Sequence, residues 1–239
     1  MEKKVFNAYI DGFNLYKGSL ERRPDLKWLD IVGLCQDLRP EMKLGQVFYF
    51  TSNVMNRYPG DKAQNRQHAY LRVLAHQGVQ VVLGKFRADP RWSRFASLRV
   101  HDMIQPTMPL HFGLTKRAFQ RIATLAYPDL PMAYVTKMEE KGSDVNLASY
   151  LLRDAFTNGL PAALVITGDS DLACPVRFAV EFGVDVKVSV PGLAIEVNEL
   201  AAAASQLEKL PENLLQTNQL PKTFISPAGR QIVRPSSWA

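Results

Sequence analysis

The chain has 239 residues, 46% of them apolar, with a formal net charge of +6 and a pI near 9.3. That size suits one large domain with a sizeable core and extensions rather than two independent cores. No run approaches the roughly 18 apolar residues of a membrane span, and Cys35 and Cys174 are too isolated for a disulfide framework, zinc ribbon or CxxC site.

In chain order, the basic start Met1-Glu2-Lys3-Lys4 is followed by an apolar stretch that Asn7 and Asp11 interrupt. With no small-residue cleavage site behind it, this is not the pattern of a signal peptide, and a cytoplasmic protein is expected. A strand is predicted over residues 5–10, ending at Asp11-Gly12-Phe13-Asn14-Leu15. A helix over 28–38, a strand over 46–51, a helix over 61–77 and a strand over 79–83 follow. Residues 85–131 are too long for an ordinary connection and contain five prolines, so they read as an insertion, with an amphipathic helix over 114–126. Beyond it come a helix over 143–158, a strand over 162–167, a helix over 172–182, a strand over 184–190 and a last helix over 198–209. Gly78, Gly159 and Gly183 fall where a helix must end before a strand begins. Past Leu210, prolines 211, 221, 227 and 235 mark an extended tail that docks locally.

Alternation of strand and helix predicts an α/β fold with a parallel sheet. Ligands of such sheets bind beyond the carboxyl ends of the strands, where strand order reverses. If the first and fourth strands are neighbours, Asp11 meets Asp169 and Asp171 of Thr167-Gly168-Asp169-Ser170-Asp171. Asp144, after Lys141-Gly142-Ser143, closes the ring from the side. Carboxylates crowded in this way raise one another's pKa unless a cation joins them, and an all-oxygen ligand set suits Mg2+ or Mn2+. The plainer alternative is that Asp11 caps a helix and Asp144 complements a helix dipole.

Those three segments together make the chain resemble NYN domain proteins of the PIN-like nuclease superfamily. The resemblance spans roughly residues 5–205. It implies a PIN-like three-layer α/β/α sandwich with a central parallel sheet of order 3-2-1-4-5. Residues 1–209 would form the NYN domain, with the insertion at 85–131, and 210–239 the tail. It also implies a metal-dependent ribonuclease in which Asp11, Asp144, Asp169 and Asp171 hold Mg2+ or Mn2+. Asn14 would position a phosphate or a metal-bound water, or serve only as an Asx cap. Lys141 would neutralise the scissile phosphate, or stay solvated. Thr167 and Ser170 would hydrogen-bond the acids or metal waters, with Ser170 equally suited to capping the next helix. The cysteines that some relatives carry in the insertion are missing here, so a zinc knuckle is not expected.

From Lys85 to Arg121 there are eight Lys or Arg against two acids, interleaved with aromatic residues. Lys85, Arg87, Arg117 and Arg121 are therefore expected to hold RNA backbone while aromatic faces stack unpaired bases, favouring single-stranded RNA. The alternatives are a non-catalytic RNA-binding adaptor on the same fold and a phosphatase with an aspartyl nucleophile. The phosphatase fits poorly, because Phe13 stands where its second aspartate belongs.

Overall fold

A computed structural model describes residues 3–56, 58–94, 132–157, 159–192 and 198–238. Strands β1 (Val5–Asp11), β2 (Lys43–Thr51) and β3 (Gln80–Leu83) come first. Then β4 (Lys85–Arg94) and β5 (Met132–Lys141) pair as a separate two-stranded sheet, and β6 (Ala162–Ile166), β7 (Asp185–Val190) and β8 (Gln206–Lys209) return to the main one. The main sheet has the order β3-β2-β1-β6-β7-β8 with every neighbouring pair parallel. Its first five strands follow the expected order, and β8 adds a sixth.

Strand parity decides which layer each side chain enters. Phe6, Ala8 and Ile10 of β1 and Leu164 and Ile166 of β6 join the core on one face, under helices α2 (Ile31–Leu38) and α3 (Ala63–His76). Tyr9, Phe48, Phe50, Ala163 and Val165 enter the opposite face, under α4 (Ser143–Thr157) and α5 (Ala173–Glu181). Helices on both faces of a parallel sheet make a three-layer sandwich. Its core is mainly apolar, and among its polar groups the Tyr9 hydroxyl donates to buried Asp154 at 2.7 Å. Gly78 and Gly183 take φ of +85° and +88° at the helix-to-strand turns, a conformation that costs side chains with a Cβ.

The expected helix over 198–209 is corrected. It ends at Ala203 (α6, Asn198–Ala203), and residues 206–209 become the edge strand β8, with Gln206 opposite Lys187 and Lys209 opposite Val190. Ser205 secures the switch: its N–H donates to the Val186 carbonyl and its hydroxyl accepts from the Val186 N–H. The tail is folded rather than merely extended. Leu210, Leu215, Leu220 and Ile232 are buried in the core beside α2 and α3, and α7 (Glu212–Thr217) packs on α2. The Trp28 indole donates to the Pro221 carbonyl at 2.9 Å, and Trp238 meets the rings of Trp28 and Tyr70 at about 6.1 Å.

The chain divides into a unit of Met1–Phe86 with Glu140–Ala239, and a second unit of Arg87–Glu139 to which β4 and β5 largely belong. The helix expected over 114–126 lies outside the described residues. Among the described residues, no helix is long and apolar enough to cross a membrane.

Candidate active site

Strand order reverses between β1 and β6, so the crevice beyond their carboxyl ends is where a ligand is expected. Ile10 pairs with Ile166, which brings Asp11 and Thr167 side by side one residue further on. Both face the α4/α5 layer, by parity with Tyr9 and Val165. Asp11 is only 4% exposed.

One hydrogen-bond chain ties the two strand ends together. The Asp11 carboxylate accepts from the Asn14 N–H at Oδ1 (2.9 Å) and from the Thr167 hydroxyl at Oδ2 (3.2 Å). Thr167 Oγ1 in turn accepts from the Asp169 N–H at 3.1 Å, and Asn14 Oδ1 accepts from the Gly168 N–H at 2.9 Å. Asp169 caps the following turn by accepting from the Asp171 N–H at 3.0 Å. Asp11 likewise caps α1 (Gly12–Leu15), which runs directly into a π-helical turn, Tyr16–Leu20.

Burial dominates the electrostatics. Desolvation pushes the Asp11 carboxyl from its ordinary 3.8 up to about 7. The Asn14 N–H and Thr167 hydroxyl pull it down, and the charges of Asp144 and Asp169 push it up. The carboxyl is thus divided between its acid and base forms near neutral pH. A neighbour that the sequence did not point out is Tyr49, on β2 opposite Ile10. Its buried phenol is pushed up by desolvation and by the charge of Asp11. A Cβ at Gly12 would come within 2.6 Å of the Tyr49 ring, so this glycine lets the ring close over the start of α1. A glycine directly after a strand-end acid, with an aromatic near the end of the next strand, was the available signal.

The expected site residues therefore distribute unevenly. Asp11, Asn14, Thr167 and Asp169 form one connected network, and Asp144, in the first turn of α4, acts on Asp11 through its charge. Lys141, at the end of β5, is exposed, as are Ser170 and Asp171. Lys85 is exposed at the start of β4, and Arg87 lies within that strand. Arg117 and Arg121 lie outside the described residues.

No family model matches the chain. It is 26% identical over 255 residues to 6-hydroxy-3-succinoylpyridine 3-monooxygenase HspA of Pseudomonas putida, covering 96% of this chain and 74% of the relative. The crystal structure of a protein of unknown function from Vibrio parahaemolyticus matches with a TM-score of 0.49 at 12% identity, over 89% of this chain and 96% of that one.

The expected ribonuclease is overturned by the monooxygenase relative. That relative aligns with nearly the whole chain and is named for inserting oxygen, not for hydrolysing a phosphodiester. The hydrolase, nuclease, RNA-binding and Mg2+/Mn2+-binding readings are corrected with it. The local physics shows why the acids misled. Asp11 and Asp169 each accept from a backbone N–H of the turn that follows their strand, the ordinary work of a capping aspartate. Among the described residues, no three His, Cys, Asp or Glu side chains converge closely enough to hold a metal ion. An acid at a strand end reads the same in sequence whether it ligates or caps.

Proposed function

We propose that this protein is an oxidoreductase of the monooxygenase kind, acting on a hydroxylated nitrogen-heteroaromatic ring, with Asp11 as its general base. The observation that carries this reading is the buried Asp11 carboxyl, held at about 7 at the reversal point of the sheet. The monooxygenase relative supports the reaction class, and its name places the ring hydroxyl para to the carbon that is oxygenated.

Aromatic oxygenation is easier on an electron-rich ring, and removing a proton from the ring hydroxyl, or from its N–H tautomer, supplies that richness. A phenol-like proton has a pKa of about 10. Transfer to a base at about 7 is less uphill by about 4 kcal/mol than transfer to an aspartate at 3.8. In the relative's named substrate the oxygenated carbon carries the acyl group. On a hydroxypyridine whose carbon para to the hydroxyl carries hydrogen, the reaction balances as ring C–H, O2, two electrons and two protons giving ring C–OH and water. The electrons come from an organic two-electron donor of the dihydronicotinamide or reduced-flavin class. Asp11 takes the hydroxyl proton before oxygen attack and returns it to the product. Thr167 fixes the carboxylate rotamer, and Asn14 joins the two strand ends so that the base keeps its position.

The same reading takes the scaffold as a PIN-like sandwich of NYN type serving a different chemistry, a kinship supported by the order of its first five parallel strands. The test is oxygen uptake by the purified protein with each donor class and a panel of hydroxypyridines, with hydroxylated product identified by mass. Substrate-dependent uptake that Asp11→Asn removes is expected. Uptake that is absent across the panel, or unchanged in Asp11→Asn, rejects the proposal.

A further inference from the structure

On the outer face of the α4/α5 layer, three phenylalanines stand in water. Phe156 of α4 is 75% exposed, and Phe182 and Phe178, at the end of α5, are 54% and 42% exposed. Phe156 and Phe182 meet edge to face, with ring centroids 5.7 Å apart. Phe178 lies one helical turn before Phe182, so the three make one patch rather than scattered residues. At about 200 Å² per ring, they expose roughly 300–350 Å² of aromatic surface, a typical apolar centre for an interface of about 800 Å² per partner.

The charges beside the patch indicate what covers it. Arg177 and Glu181 flank the phenylalanines on α5, one turn apart, with nitrogen and oxygen 3.9 Å from each other. The Arg177 guanidinium also lies 5.8 Å from the Phe178 ring. A positive and a negative residue one turn apart on the same apolar helix face are self-complementary. When two such helices cross antiparallel about a two-fold axis near Ala179, Arg177 of each copy comes opposite Glu181 of the other. Phe178 and Phe182 then interleave across the axis. An isologous contact of this kind needs one patch that matches itself, and this patch does.

We propose that α5, with Phe156 of α4, is the interface through which a second copy of this chain docks to form a two-fold dimer. The surface is apart from the Asp11 crevice, so the proposal does not rest on the function assigned there. Phe156, Phe178 and Phe182 form its apolar centre, and Arg177 and Glu181 set its antiparallel register.

Sedimentation velocity over a range of protein concentrations tests this, with circular dichroism to confirm folding of each variant. Wild type is expected to sediment at twice the chain mass of 26.9 kDa, and Phe156→Ser/Phe182→Ser as a monomer. Arg177→Glu alone sets like charges opposite each other across the axis and should weaken the dimer at least tenfold. The swap Arg177→Glu/Glu181→Arg should restore it, which an unrelated partner or interface would not reproduce. A wild type that stays monomeric at every concentration overturns the proposal. So does a folded double phenylalanine variant that remains a dimer, or a charge swap that fails to restore what Arg177→Glu lost.

Discussion

Replacing Asp11 with asparagine should make the protein more stable above neutral pH while removing its activity. Between its unfolded value of 3.8 and its folded value of about 7, the Asp11 carboxyl binds more protons in the folded state than in the unfolded state. Stability from this group is therefore full below about pH 4, falls as pH rises through this window, and levels off above it. The rise from 3.8 to about 7 corresponds to about 4 kcal/mol. Asparagine is nearly isosteric, keeps an Oδ1 acceptor for the Asn14 N–H and carries no charge to desolvate. Urea unfolding of both proteins at pH 4, 5, 6, 7 and 8 reads the difference directly. Their gap in unfolding free energy should widen by about 4 kcal/mol across that series, in favour of the variant. A gap that does not change with pH would mean that Asp11 is not buried and raised as described, and the argument for it as a base would fail.

Other outcomes follow from the same geometry. Thr167→Val removes the hydroxyl that lowers the Asp11 carboxyl, so the pH–rate profile, expected to rise through about 7, should move to higher pH. It also leaves the Asp169 N–H without its acceptor, at a cost of about 1–3 kcal/mol in thermal or urea unfolding. Gly12→Ala forces a methyl to within 2.6 Å of the Tyr49 ring and should cost about 1–3 kcal/mol, measured by the same unfolding assay, with a loss of activity as Asp11 shifts. Ile232→Ala should cost about 2–5 kcal/mol, far more than a loose tail would give, because this side chain is buried in the main core.

Much of the scaffold was legible because the buried strands announce themselves. Residues 5–10 and 162–167 are short apolar runs ended by polar turns, and both lie in the middle of the sheet. The edge was not legible. Gln206-Leu207-Glu208-Lys209 follows an alanine run and is rich in helix formers, but pairing with β7 outweighs that local preference. The tail residues Leu210, Leu215, Leu220 and Ile232 are spaced too irregularly to show a period, so their burial appears only in three dimensions. At the site, the meeting of Asp11 with the Thr167–Asp169 turn follows from two strand ends being neighbours. The chemistry does not. Whether an aspartate ligates a cation, caps a turn or waits as a base depends on its desolvation and on which oxygens are already engaged, and neither is written in residue spacing.

In the proposed oxygenation, the new ring oxygen comes from O2 after Asp11 has activated the ring. Turnover of a hydroxypyridine under 18O2, with product mass measured for wild type and Asp11→Asn, tests it most directly. One labelled oxygen in the wild-type product, and no labelled product from the variant, is the predicted result. Label that enters the product from H218O instead of from O2, or that enters equally with Asp11→Asn, would contradict it.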